Sequence, residues 1–328
     1  MFSCYKQHLF LGSRTLSFKM GNSSFGTKQL SPCATSSEAL HDLSLVWIAY
    51  IAISINIALC ITAAFGNILI ALQEDFRRLH LPSKLLFRSL ASTDLAVGLI
   101  SQPCFVMHLL LIVRKRLSIC QITEGVVQIS SAILCGISIF TLTAISVDRL
   151  LALLLDLRYR QIVTFARVCG IIVASWLVFP SFAMLFFWNI HVFMITLCVI
   201  VLLCLAASTF CYMKIYFTLR YRQIRVSQQS RPGQMNNSTR AHLATYNKTV
   251  SNSLWIYFTL IASYLPFAIV QVVRTTHDQS PSIVIAEGST TSLLYLNSSL
   301  NPVIYFWRIR EVRQAVKTTV RRFCSSCF

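Results

Sequence analysis

The side chains best suited to chemistry in this chain are charged and polar groups that interrupt long apolar runs. Asp148 and Arg149 are adjacent and directly follow the apolar run 117–147, whose one charged residue is Glu124. An acid and an arginine in apolar surroundings are costly unless they pair with each other or reach water. We therefore expect this pair near one membrane face, at a cavity filled by water or by a partner.

A second set of polar residues lies inside other apolar runs and brings one more carboxylate, that of Asp94. Polar groups in lipid are expected to face the interior of a helix bundle, where they find partners. The set comprises Asn67, Asp94, Ser138, Asn297, Ser298 and Asn301. No nucleophile with a matching base and no metal-ligand spacing accompanies them, so we do not expect an enzyme.

The elements that must position these residues follow from the composition. The chain has 328 residues, of which 55% are hydrophobic and 12% charged, whereas a soluble domain carries about 25% charged residues. Seven apolar runs reach or exceed the length of about 20 residues that a bilayer-spanning helix needs. They show no alternation with a period of two, which favours helices over barrel strands. The predicted fold is an all-α membrane protein with a seven-transmembrane helix bundle.

The same runs define the predicted organisation of the chain. Residues 1–42 form an N-terminal segment, and residues 43–307 form the helix bundle, including a third cytoplasmic loop at 214–248. Residues 308–328 form a short amphipathic eighth helix and a tail, which would contact membrane lipid. Asn22 begins a glycosylation sequon, and Cys324 and Cys327 are candidates for acylation, with unmodified cysteines as the alternative.

Basic residues set the predicted orientation. The formal net charge is +18, and most lysines and arginines fall in gaps on one side of the predicted membrane. This bias places the N-terminus outside the plasma membrane and the tail inside, although the cluster Arg114 to Arg116 opposes it. Nucleic acid would require the basic residues on one soluble surface, so we exclude it as a partner.

Motifs in order along the chain, one or more per helix, resemble those of rhodopsin-like (class A) G-protein-coupled receptors over about residues 45–320. Each motif is weak alone, and their order is what makes the resemblance specific. They are Gly66-Asn67, Leu90-Ala91-Ser92-Thr93-Asp94, Asp148-Arg149-Leu150, Trp176, Tyr212, Pro266 and Asn301-Pro302-Val303-Ile304-Tyr305. A very short turn between helices 4 and 5, without a cysteine, and a helix 5 without its proline place the chain nearest the melanocortin, adenosine and lipid receptor group.

The resemblance implies a heterotrimeric G protein and arrestin as partners on the inner face. Arg149 resembles the arginine that leaves its acidic neighbour Asp148 to meet the G protein. Tyr264 stands where the family usually has a tryptophan. The activation switch implied in this way comprises Asp148, Arg149, Tyr212, Tyr264, Pro266, Asn301, Pro302 and Tyr305.

The resemblance also implies an allosteric sodium site and no other cofactor. The residues that match it are Asp94, Ser138, Asn297 and Asn301. Carboxylate, hydroxyl and amide oxygens suit a hard cation. The alternative is a protonated Asp94 in a hydrogen-bonded network without an ion.

The implied ligand is a non-aminergic small molecule or a peptide. Ser131 stands where amine receptors carry an aspartate, and the absence of any lysine between Lys248 and Lys317 excludes retinal. The positions that align with a ligand pocket are Gln102, Glu124, Gln128, Ser131, Phe267, Gln271, Thr291 and Tyr295. Glu124 would meet a cationic ligand or would pair with Arg116, and both alternatives stay open.

Two departures from the family affect the ends of helix 3. Cys120 lies about one turn further out than the family cysteine, so it would pair with Cys33 or remain a free thiol, as Cys33 would. No acid occurs between Gln223 and His277, so Arg149 has no carboxylate on inner helix 6, and we hypothesise ligand-free activity. The alternatives to a ligand-activated receptor are a constitutively active or chaperone-like protein without a ligand, and a seven-helix transporter or channel.

Overall fold

The computed structural model describes residue 33 and residues 43–71, 81–155, 158–229, 255, 257–274 and 280–308. No strand occurs within this part of the chain. The long helices, in chain order, are α1 (Leu43–Ala71), α2 (Leu81–Val113), α3 (Leu117–Leu155), α4 (Phe165–Trp188), α5 (Ile190–Gln229), α6 (Tyr257–Arg274) and α7 (Pro281–Arg308). α2 contains a π-helical turn at Val97–Ser101, and a short helical turn at Tyr159–Ile162 follows α3.

Six of the described helices, α1 to α6, are long and apolar enough to cross a membrane. α7 has 28 residues, which is also enough for a span. Its polar residues, which include Glu287, Thr291 and Asn301, lower its hydropathy relative to the others. The predicted all-α, seven-helix fold is confirmed.

α3 is the central helix of the bundle. It packs against α2, α4 and α5, and 61% of its most apolar stretch is buried, compared with 17% in α1. Gly136 permits the close approach of α4, because a Cβ atom there would lie 2.5 Å from Cε1 of Phe179. The helix that carries the predicted switch and the ligand positions is therefore held on several sides.

α1 is fastened to α2 and α7 by small residues and polar contacts. A Cβ atom at Gly66 would lie 2.6 Å from Cβ of Pro302, so glycine is what lets α1 approach the proline of α7. The amide Nδ2 of Asn67 donates to the carbonyl oxygen of Ser298 over 3.1 Å. This contact satisfies polar groups that would otherwise face lipid.

The turn between α4 and α5 is as short as the sequence predicts. Asn189 separates the two helices, and its Oδ1 accepts hydrogen bonds from the backbone N–H groups of His191 (2.9 Å) and Val192 (3.2 Å). The side chain thereby satisfies free donors at the N-terminus of α5. Asn189 is thus the residue that starts α5 so soon after α4.

α5 continues as a helix to Gln229, so the first part of the predicted third cytoplasmic loop (214–248) is helical. Arginine, lysine and glutamine are good helix formers, so α5 continues past its apolar part. Most of the remaining predicted loop lies outside the described residues. The same is true of Asn22, of Cys324 and Cys327 and of the predicted eighth helix, which therefore stay predictions.

Candidate functional site

A cavity opens among α2, α3, α5, α6 and α7, at the end of the bundle that carries Glu124. We call this the outer end, and the end that carries Arg149 the inner end. The cavity has a volume of about 120 Å³. Six of the eight predicted ligand positions line it: Glu124, Gln128, Ser131, Phe267, Gln271 and Thr291.

The other two predicted ligand positions lie behind the cavity wall. Tyr295 is fully buried, and its hydroxyl lies 2.6 Å from Oγ of Ser131, so it supports a lining residue instead of lining the cavity. Gln102 is also fully buried, and its amide oxygen and nitrogen have no hydrogen-bond partner within the described ranges. Sequence alignment cannot separate a lining position from the one that packs directly behind it.

Four polar side chains of the cavity wall, together with Arg274 beside them, form a chain of contacts that we call the polar ring. Arg274 of α6 contacts Glu124 of α3 over 3.4 Å and makes a second ion pair with Glu287 of α7. The amide Nε2 of Gln128 donates to Glu124 over 3.3 Å, and that of Gln271 donates to Glu287 over 3.4 Å. The ring therefore joins α3, α6 and α7 at the outer end of the cavity.

Within the polar ring, Glu124 makes its ion pair with Arg274 and not with Arg116. A role of Glu124 in meeting a ligand stays a prediction. Sequence reasoning missed Arg274 and Glu287 as members of the site. The signal in the sequence was that Arg274 is the one charged residue among residues 257–274 and that Glu287 is the one acid of α7.

In each of the two glutamines of the polar ring, the amide oxygen accepts no hydrogen bond from the described residues. A carboxylate only accepts hydrogen bonds, so the NH2 side of each amide faces the neighbouring glutamate. Oε1 of Gln128 and Oε1 of Gln271 are buried and have no hydrogen-bond partner among the residues that the structure describes. Such buried acceptors are costly unless a donor reaches them.

The inner part of the cavity is apolar. Its floor and one side are formed by Cys135, Phe193, Leu197 and Tyr264. The hydroxyl of Tyr264 donates to the carbonyl oxygen of Cys135 over 3.1 Å, so the tyrosine that stands where the family usually has a tryptophan joins α6 to α3. The half-buried Pro266 follows it on α6.

A disulfide between Cys33 and Cys120 closes one side of the outer end, with a Cα–Cα distance of 6.2 Å. The alternative of two free thiols is therefore not what the structure shows. Cys33 lines the cavity, and its Sγ lies 3.5 Å from Oε2 of Glu124. The bond attaches the segment before α1 to the cavity wall.

Midway through the bundle, Asp94 is fully buried and accepts three hydrogen bonds. Oδ1 accepts from the hydroxyls of Ser138 (2.9 Å) and Ser298 (2.8 Å), and Oδ2 accepts from Nδ2 of Asn301 (2.7 Å). Ser298 takes the place that the sequence assigned to Asn297, whose Nδ2 has no partner among the described residues. The structure thus brings together three of the four predicted sodium ligands and adds a hydroxyl.

At the inner end, Asp148 is held by three groups. It accepts hydrogen bonds from Ser83 of α2 (2.9 Å) and from the phenol of Tyr159 (2.6 Å), and it lies 3.4 Å from Arg149. Burial, together with the hydrogen bond to Asp148, raises the pKa of Tyr159, so its phenol remains a donor at neutral pH. The guanidinium of Arg149 also lies 5.6 Å from the ring centre of Phe87.

Other predicted switch residues lie on α5 and α7. Tyr212 of α5 is buried, and its ring centre lies 5.0 Å from that of Tyr257 of α6. Pro302 of α7 packs near Gly66, as described above, and Tyr305 lies within α7. The side chain of Tyr305 lies outside the described part of the chain, so its role stays a prediction.

Comparison with known proteins identifies the same architecture. Residues 66–193 and 179–305 match the family described as 7 transmembrane receptor (rhodopsin family). The chain is 24% identical over 299 residues to the adenosine receptor A3 of Canis lupus familiaris, covering 83% of this chain and 90% of the relative. It is 26% identical over 316 residues to the adenosine receptor A2a of Homo sapiens, covering 82% of this chain and 72% of the relative.

A third relative, the adenosine receptor A2b of Bos taurus, is 33% identical over 127 residues, which cover 38% of this chain and 36% of the relative. The family match spans most of the described bundle, from Gly66 in α1 to Tyr305 in α7. It therefore includes the cavity, the buried Asp94 and the inner pair Asp148-Arg149. The chain belongs to the rhodopsin family of seven-transmembrane receptors.

Proposed function

We propose that this G-protein-coupled receptor binds a small, uncharged molecule that donates hydrogen bonds, of the purine nucleoside class, in the outer cavity. The observation that carries the proposal is the pair of buried amide oxygens, on Gln128 and Gln271, that have no hydrogen-bond partner among the described residues. A ligand with N–H or O–H donors would satisfy both. The names of the relatives support the nucleoside class, since they are adenosine receptors.

The lining of the cavity agrees with such a ligand. Phe267 and the apolar floor offer a surface for a flat heteroaromatic ring, and the polar ring offers acceptors at the other end. Apolar walls with a few placed polar groups are typical of ligand pockets.

At the inner end, Arg149 is the residue that would meet the G protein. It is held by its neighbour Asp148 and is 30% exposed, so part of its side chain is accessible at the inner end. The N-terminus outside and the tail inside, arrestin at the same inner face, and lipid contacts of the tail belong to the same proposal. The receptor is a multi-pass protein of the plasma membrane.

The ligand proposal is tested by comparing adenosine with inosine in a G-protein activation assay on cells that express the receptor. The 6-amino group of adenosine offers two N–H donors, whereas inosine offers one, N1–H, beside a 6-oxo group that accepts, so two amide acceptors favour adenosine. We expect adenosine to be at least about tenfold more potent, which corresponds to about one hydrogen bond. Equal potency, or no response to either nucleoside, would contradict the proposal.

A matched pair of variants tests whether the preference for adenosine arises from the cavity. Gln271→Leu removes one of the two acceptors, so it should reduce the preference for adenosine. Gln121→Leu makes the same change at an exposed position of α3 and should leave the preference unchanged.

We further propose that Asp94, Ser138, Ser298 and Asn301 hold a sodium ion when the receptor is inactive. The carboxylate and the two hydroxyl oxygens are suitable ligands for a hard cation. Asn297 is less suited, because it makes no contact with Asp94 in the described network. Sodium should weaken agonist binding to the wild type and leave Asp94→Asn unaffected; equal sodium sensitivity of the two proteins would argue against the site.

We propose ligand-free activity because of the way in which Arg149 is paired at the inner end. Arg149 is paired with an acid of its own helix, and residues 223–277 contain no acid that could tie it to α6. G-protein activation without ligand should therefore exceed that of mock cells and should be lost in Arg149→Ala. A wild-type signal at the level of mock cells would refute this part.

A further inference from the structure

We propose that Arg274, Glu124 and Glu287 form an outer clamp that restrains α6 and thereby limits signalling in the absence of ligand. Arg274 is the one charged residue among residues 257–274, and it lies at the outer end of that helix. It contacts a carboxylate of α3 and a carboxylate of α7 at the same time. The clamp rests on the family-level coupling to a G protein and does not depend on the nucleoside proposal.

The clamp is formed by largely buried charges. The side chain of Arg274 is 9% exposed, and those of Glu124 and Glu287 are 19% and 23% exposed. Moving α6 away would leave these charges unpaired beside a mainly apolar cavity. Separating such a pair is much costlier than separating an exposed one, because the low local dielectric strengthens the attraction and water replaces it poorly.

Among the described residues, the inner end of the bundle offers no comparable charged restraint on α6. Arg149 pairs with Asp148 of its own helix, and residues 223–277 contain no acid. Within the same described residues, the charge-based attachment of α6 to its neighbours lies at its outer end, eight residues from Pro266. A helix held firmly at one end and weakly at the other is suited to be a two-state element that a ligand can bias.

The clamp also touches the ligand cavity directly. Both of its carboxylates accept a hydrogen bond from a cavity glutamine, Gln128 on one side and Gln271 on the other. A ligand that donates to a clamp carboxylate competes with Arg274, whereas a ligand that reaches only the amide oxygens leaves the clamp intact. The first kind should activate the receptor more strongly than the second.

Three variants that reach the cell surface test the clamp in a ligand-free G-protein activation assay, with signals normalised to surface receptor. Glu124→Gln and Glu287→Gln each remove one ion pair and leave the other. The triple variant Glu124→Gln/Glu287→Gln/Arg274→Gln removes both pairs without leaving a buried charge alone. We expect a modest rise in each single variant and a rise of at least about fivefold in the triple variant, the lower end of typical coupling between sites.

Two controls separate release of α6 from nonspecific effects. Arg116→Gln neutralises an exposed arginine near the same end of the bundle and should leave the ligand-free signal unchanged. Adding Arg149→Ala to the triple variant should remove its extra signal, because the G protein is activated at the inner end through Arg149.

The proposal is overturned by a triple variant at the cell surface with a wild-type ligand-free signal, or by an extra signal that survives Arg149→Ala. Where the triple variant does not reach the surface, unchanged signals from both single variants overturn it equally. None of these measurements uses a nucleoside, so failure of the clamp and failure of the ligand proposal are distinguishable.

Discussion

At the scale of single residues, Asp148 shows how a buried charge is kept on helix α3. Three neighbours compensate it: Ser83 and Tyr159 donate hydrogen bonds, and Arg149 supplies the opposite charge. Because the two hydroxyls remain when the arginine leaves, Arg149 can move toward a G protein without stranding the carboxylate. The adjacent acid and arginine are visible in the sequence, whereas the two hydroxyl partners depend on the approach of α2 and of the turn after α3.

Tyr159→Phe tests this arrangement. The change removes a 2.6 Å hydrogen bond to a buried carboxylate, so it should lower the free energy of unfolding by about 1–3 kcal/mol. Thermal unfolding of the purified receptor in detergent measures the loss. Tyr50→Phe, at a 46% exposed position of α1, serves as the control, and equal midpoints for the two variants would contradict the account.

The disulfide supplies a second test at this scale. Cys33 and Cys120 are 87 residues apart in the sequence, and a bond that closes so long a loop typically stabilises by about 2–4 kcal/mol. Cys120→Ser should therefore lower the unfolding midpoint, and Cys33→Ser added to it should lower it no further. Additive losses would show that the two cysteines act separately.

At the scale of helices, small residues decide how closely the elements pack. Gly136→Ala places a methyl group 2.5 Å from the ring of Phe179, and overpacking of this kind costs about 1–3 kcal/mol. Gly170→Ala in α4 meets nothing within 4 Å, so it should be neutral or slightly stabilising. Unfolding midpoints of the two variants check the contrast, and a Gly136→Ala receptor as stable as Gly170→Ala would refute the packing described for α3 and α4.

The number and order of the helices could be predicted from the sequence, because unbroken apolar runs of spanning length allow few other folds in lipid. The end of α5 could not, since the helix continues as a polar extension to Gln229, where apolarity no longer marks it. At the site, six cavity residues followed from alignment with the family. Arg274 and Glu287 did not, because their importance comes from meeting Glu124 across three helices.

At the scale of the whole molecule, polar contacts occur at three depths along α3. The polar ring joins α3 to α6 and α7 at the outer end, Asp94 joins α2 to α3 and α7 in the middle, and the inner pair lies at the other end. A ligand that binds at the outer end can affect a G protein at the inner end only through a change in how these helices pack. We therefore propose that a hydrogen-bond donor in the outer cavity activates a G protein through Arg149.

The most direct test of that claim is the response to adenosine of the wild type, Gln271→Leu and Arg149→Ala, measured as G-protein activation at matched surface expression. We expect adenosine to activate the wild type. Gln271→Leu should require at least about tenfold more adenosine for the same response, and Arg149→Ala should give no response. A wild type that does not respond, or responses that are the same in all three proteins, would contradict it.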